Sequence, residues 1–157
     1  MSTREGGIAI HSIDRVLVTT DFSETSQSAF TLAQQVAEKF DAEIVLLHVL
    51  DAHLPPLVFE PSGVSAGEFE QQRVQRATER AEAFGARLGK NIESAVTCGI
   101  PHVEIVKFAI DNAIDMIVMA THGRGFFSHA ILGSTTERVV RRAPCPVLTV
   151  RDDSLKD

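Results

Sequence analysis

Residues 13–50 read IDRVLVTTDFSETSQSAFTLAQQVAEKFDAEIVLLHVL. Two apolar runs, within residues 13–20 and 43–50, flank a segment of different period, in which Ala29, Ala33, Val36, Ala37 and Phe40 recur at helical spacing. That spacing predicts a helix from about Glu24 with these five side chains turned inward, and Ser23 is of the type that caps one. The flanking runs do not alternate: Ile44, Val45, Leu46 and Leu47 follow one another without a polar residue. A strand can be apolar on both faces only if both faces are covered, which is the condition of a parallel sheet between two helical layers. Strand, helix, strand with a crossover of this length makes a right-handed parallel unit.

The pattern continues outward. Residues 115–120 and 145–150 read as further buried strands, and 92–97 as a weaker fifth strand suited to an edge. Ser65 with Glu68 is a capping-box pair opening a second helix, which carries Ala77, Ala81, Phe84 and Leu88 inward and stops at Gly89. Pro101 suits the first position of a third helix, with Val103, Val106 and Ala109 or Ile110 inward. Ser134 with Glu137 reads as another capping box, for a short fourth helix that Pro144 ends. The alternation predicts one α/β domain over residues 13–151, a three-layer open-twisted parallel five-stranded sheet, with tails at 1–12 and 152–157. Residues 51–64, holding Pro55, Pro56 and Pro61, form the one long irregular connection and read as a lid.

Composition narrows the function. With 157 residues the chain buries a sizeable core without disulfides or metal. Cys98 and Cys145 form no CxxC pair and read as small buried apolar residues of a reducing compartment. A net charge of −6 and a pI near 5.5 argue against general affinity for nucleic acid. Arg138, Arg141 and Arg142 read as a solvated helix end. No apolar run approaches the length of a membrane span, and the first twelve residues lack the apolar centre of a signal peptide, so a cytoplasmic location is expected.

In open α/β sheets ligands sit beyond the carboxyl ends of the strands, where strand order reverses. Thr19, Thr20 and Asp21 follow the first predicted strand; Thr121, His122, Gly123, Arg124 and Gly125 follow the fourth. Glycines let backbone N–H groups approach phosphate oxygens, and Gly133 with Ser134 stands at a predicted helix start, where the dipole favours anions. On the residues alone, ordinary turn glycines and a capping serine account for the same pattern. His48, in a predicted buried strand, reads as a core histidine, and His122 and His129 have no metal-ligand spacing.

The stretch 119–150, MATHGRGFFSHAILGSTTERVVRRAPCPVLTV, resembles the C-terminal signature of ATP-binding universal stress proteins, G-x2-G-x9-G-[ST]. Gly123, Gly133 and Ser134 match it, while Ala120 replaces its first glycine and Phe126 stands where many members carry another. TTDFSETSQSA at 19–29 and IVLLHVLD at 44–51 resemble the family's other recurrent blocks. The resemblance implies an adenine nucleotide alpha-hydrolase-like (Rossmann-like) fold with strand order 3-2-1-4-5. It implies ATP, ADP or AMP as ligand, with Mg²⁺ as a possible companion, and a homodimer formed through strand 145–150, where Pro146 suits an edge. Carried over by position, it gives Thr19, Thr20 and Asp21 to the nucleoside wall, with Asp21 on the ribose, and backbone groups of Val49 to the adenine. Met119 and Ala120 become the floor. Gly123, Gly133, Ser134 and Thr135 go to the phosphates, with His122, Arg124 and Gly125 in the same loop. The function so implied is a nucleotide-binding regulatory module of the stress response. The alternative is a dimeric interaction protein of the same family that takes no nucleotide. No Walker lysine, SGGxDS loop or evident general base is present, which leaves slow ATP hydrolysis as the most the sequence supports.

Overall fold

The computed structural model describes residues 12–52, 65–89, 92–121 and 132–151. Nine elements alternate among the described residues: β1 Arg15–Thr19, α1 Glu24–Phe40, β2 Glu43–Asp51, α2 Ala66–Leu88, β3 Glu93–Gly99, α3 Pro101–Asp111, β4 Met116–Ala120, α4 Ser134–Arg142 and β5 Val147–Val150. The five strands form one sheet in order β3-β2-β1-β4-β5, every pair parallel. β3 is an edge, as its weaker apolar pattern predicted.

Each central strand sends side chains into two separate cores, which is why its sequence shows no alternation. Val16, Val18, Leu46 and Val118 meet Ala29, Phe30, Ala33 and Phe84 of α1 and α2 on one side. Leu17, Val45, Leu47 and Ile117 meet Ile105, Ala109 and Val139 of α3 and α4 on the other. All of the strand residues just named are fully buried, and each contributes about 1.5–3 kcal/mol by leaving water.

At the amino ends of the strands the sheet is laced by polar contacts. The Asp115 carboxylate accepts from the backbone N–H of Asp14 and Arg15, each at 2.9 Å. Arg15 donates to the Asn112 carbonyl at 2.8 Å and to Glu93 at 2.9 Å. These contacts tie β1 to β3 and β4 at the end remote from the cleft described below.

Several sequence expectations need correction. Phe40 is 51% exposed: it lies in the last turn of α1, three residues before β2 begins, so a phase that points inward at Ala37 points over the rim at Phe40. In α3 the buried face is His102, Ile105 and Ala109, while Val103 and Ile110 are exposed. That helix carries two apolar stripes, and the buried one includes a histidine that hydropathy alone places outside. The expected capping box at Ser134 is absent: Gly133 is the N-cap, no side chain caps the helix, and Ser134 is its first residue. The box at Ser65 and Glu68 is present in full. Cys98 is exposed near the carboxyl end of the edge strand and Cys145 is half-buried, so neither is the buried apolar residue expected. Partial burial, then the Glu70 charge, raises the Cys98 thiol above its ordinary value. Burial, then Asp115, pushes Cys145 up to about 11. Both thiols stay protonated at neutral pH and are poor nucleophiles.

Buried His102 makes stability depend on pH. Burial, then the Arg138 and Arg142 charges of α4, lowers its pKa below the ordinary 6.5. As pH falls below that value the unfolded chain takes up a proton that the folded chain refuses, so stability declines with acidification. Urea midpoints measured from pH 7 to pH 5 are expected to fall less steeply in His102→Gln than in the unaltered protein.

Candidate functional site

The pairing registers create a cleft. β1 pairs with β2 only as far as Thr19 opposite Leu47, and with β4 only as far as Val18 opposite Val118. β2 runs on to Asp51 beside β3, and β4 runs on to Ala120 beside β5. The tip of β1 therefore lies low between two neighbours that reach farther at this end, at the point where strand order reverses. The resulting cavity has a volume of about 620 Å³, with Thr19, Thr20 and Asp21 at its base, Val49 on one wall, and Met119, Ala120, Gly133, Ser134 and Thr135 on the other. Nine residues expected from the sequence are thus brought together. The remaining four, His122, Gly123, Arg124 and Gly125, lie outside the described residues, as do Phe126, His129 and most of the expected lid at 51–64.

The loop after β1 is fixed by its own hydrogen bonds. Ser26 Oγ donates to the Ser23 carbonyl at 2.7 Å, so the 2.9 Å contact between the Thr20 and Ser26 hydroxyls uses the Thr20 proton. Thr20 Oγ1 also accepts from the Phe22 N–H at 2.9 Å. Thr20 is buried, and its hydroxyl serves the turn rather than a ligand.

Asp21 is different. Its Oδ1 accepts from the Ser23 N–H at 3.0 Å and from the Ser23 hydroxyl. Its Oδ2 is buried with no hydrogen-bond partner among the described residues. A buried carboxylate oxygen without a donor costs on the order of 1–3 kcal/mol or more, and native proteins rarely leave one so.

On the opposite wall α4 is pinned to β4. Gly133 N–H donates to the Thr121 carbonyl at 2.7 Å, and the buried Thr136 hydroxyl donates to the Ala120 carbonyl at 3.0 Å. With no side chain among the described residues capping α4, its first-turn N–H groups face the rim of the cleft without a side-chain acceptor from those residues, at the positive end of the helix dipole. Ala120 is not among the residues with positive φ, so its strand geometry does not require the glycine of the resembled motif. Its methyl packs against the α1-side core. Ala120→Gly is expected to lower stability by about 0.5–1 kcal/mol through backbone entropy and lost packing, a loss to be read from thermal or urea unfolding.

Sequence reading missed several lining residues. Pro101 and Ile105 of α3 supply apolar surface, and Phe22, His48, Asp51, Arg73 and Arg80 also line the cleft. His48 is half-buried; its Nδ1 lies 2.8 Å from the Thr20 carbonyl, which makes that nitrogen the donor, and its ring lies 4.4 Å from that of Phe22. Phe22 takes a left-handed φ of 63°. The arginines are seven residues apart on α2, a spacing visible in sequence but without a sign of which helix face overlooks the cleft. Among the described residues no group of three or more His, Cys, Asp or Glu could hold a metal, and no helix is long and apolar enough to cross a membrane.

Comparison with known proteins agrees with this architecture. The sequence model of the universal stress protein family matches residues 12–151. Universal stress protein MJ0577 of Methanocaldococcus jannaschii is 33% identical over 152 residues, covering 87% of this chain and 94% of that one. Universal stress protein MJ0531 of the same organism is 34% identical, with 87% and 81% covered. The solved structure of MJ0577 superposes with a TM-score of 0.73 at 32% identity, over 91% of this chain and 99% of that one. Universal stress protein UspA from Lactobacillus plantarum gives 0.73 at 26% identity, over 90% and 99%. The fold is the adenine nucleotide alpha-hydrolase-like one, and this chain belongs to the universal stress protein family.

Proposed function

We propose that the chain binds an adenine nucleotide, ATP foremost, in the cleft between β1 and β4 and acts as a regulatory module whose surface changes with occupancy. The observation that carries this reading is the buried Oδ2 of Asp21, which has no hydrogen-bond partner among the described residues. A ribose hydroxyl is a donor of the right size to satisfy it, and a cleft that is apolar at Val49, Ile105 and Met119 suits a base beside that ribose. The 5′ phosphates then reach the first-turn N–H groups of α4 at Ser134 and Thr135. Backbone donors of Gly123 and Gly125 belong to the same reading. The open outer edge of β5 pairs with a second copy, which light scattering of the purified protein tests directly: twice the chain mass is expected, and a monomer counts against the pairing.

The chain has no Trp and no Tyr, so a nucleotide retained through purification dominates absorption near 260 nm. Denaturing the protein and chromatographing the supernatant is expected to release ATP, ADP or AMP. A clean spectrum, together with no rise in melting temperature in millimolar Mg-ATP, would leave the interaction protein without nucleotide as the better description.

A further inference from the structure

Helix α2 carries Arg73, Arg80 and Arg87 at intervals of seven residues, close to two turns, so all three share one stripe. Arg73 and Arg80 line the main cleft; Arg80 and Arg87 line a smaller cavity of about 260 Å³ beside Phe22. Arg73 is engaged by Glu70 at 3.0 Å. Arg80 forms no salt bridge among the described residues. Its guanidinium instead stands 4.4 Å from the centroid of the Phe22 ring. Phe22 is braced by His48 at 4.4 Å and by the edge-on ring of Phe84 at 5.7 Å. A guanidinium stacked on an aromatic face is held in place while the N–H donors in its plane stay free. Asp21 and Arg80 both line the main cleft, and Phe22, on which the guanidinium stacks, follows Asp21 directly. Arg80 also lies on the side opposite α4, because α2 packs on the Phe30 core and α4 on the Ile105 core.

We propose that Arg80 forms a second anion subsite at the mouth of the cleft, so that the site prefers an adenine nucleotide whose ribose carries a further phosphate at the 2′ or 3′ position. This rests on the nucleotide reading of the cleft. A ribose held at Asp21, with its 5′ chain directed to the amino end of α4, turns its 2′ and 3′ positions the other way, toward Phe22 and Arg80. One of the two hydroxyls remains to donate to Asp21. The other position, phosphorylated, meets a guanidinium able to bind a phosphate through two parallel hydrogen bonds. A ligand phosphorylated only on its 5′ chain leaves Arg80 unused.

The test is calorimetric titration of ATP, AMP, adenosine 2′,5′-bisphosphate and adenosine 3′,5′-bisphosphate into the protein, and of the last three into Arg80→Gln and Arg87→Gln. At least one bisphosphate is expected to bind about tenfold tighter than AMP, the worth of one charge-assisted contact near the surface. Arg80→Gln is expected to bring that ratio to about one, and Arg87→Gln, which does not line the main cleft, to leave it in place. Equal affinities for AMP and both bisphosphates, or a preference that survives Arg80→Gln, overturn the subsite alone. Failure of all three ligands and of ATP to bind overturns the nucleotide reading, and the subsite with it.

Discussion

Asp21→Asn is expected to weaken ATP binding about 10- to 100-fold, the loss of a charged hydrogen bond of about 1.5–3 kcal/mol. Asparagine retains an oxygen to accept from Ser23, as Oδ1 of Asp21 now does, so the turn after β1 survives. It replaces the unpartnered Oδ2 with an amide that donates and cannot accept from a ribose hydroxyl. The same change removes a partly buried charge, so the variant is expected to melt no lower than the parent without ligand. Titration calorimetry and thermal unfolding of the one variant separate the two effects. Unchanged affinity would show that Asp21 does not touch the ligand, and a large drop in melting temperature would assign it to the fold instead.

Phe30→Ala carries the largest expected effect on stability, about 3–5 kcal/mol. Phe30 is fully buried and is among the largest side chains in the core between the sheet and helices α1 and α2, where it joins Val16, Val18, Leu46 and Phe84. Alanine there loses the transfer energy of a benzyl group and leaves a cavity that β-strands on one side and α1 on the other cannot close. Against a typical domain stability of about 5–15 kcal/mol, this is a substantial share. Urea unfolding is the measure, and a change below about 1 kcal/mol would mean that the α1 layer is not packed as described.

The fold was legible because its strands are covered on both faces. Unbroken runs such as Ile44 to Leu47 can only be central, and the weaker, more alternating run after Ile92 marks an edge. Ser65 with Glu68 announced its helix because both halves of that hydrogen-bond exchange are written three residues apart. Ser134 with Glu137 has the same spelling, yet Gly133 holds the cap because its N–H is drawn to the Thr121 carbonyl, a tertiary contact that no local pattern displays. Helix faces were less legible. His102 lies inside and Val103 outside because the closeness of α4 decides which stripe of α3 is covered.

Much of the candidate site followed from position, since residues just past the ends of the first and fourth strands must meet where strand order reverses. Arg73, Arg80 and the half-buried His48 were not legible as lining residues, for their place depends on how α2 and the overhanging end of β2 stand above the shorter β1. Thr20 and Ala120 line the cleft as their positions implied, and the structure adds what else holds them. The Thr20 hydroxyl serves its own turn, and Ala120 sits in ordinary strand geometry that does not call for glycine.

A crystal structure of the protein grown with ATP tests the central claim most directly. The base is expected between Val49 and Met119, a ribose hydroxyl within hydrogen-bond distance of Asp21 Oδ2, and the phosphates at the amino end of α4 beside Ser134. A nucleotide bound elsewhere on the molecule, or a cleft without one at saturating ATP, would contradict it.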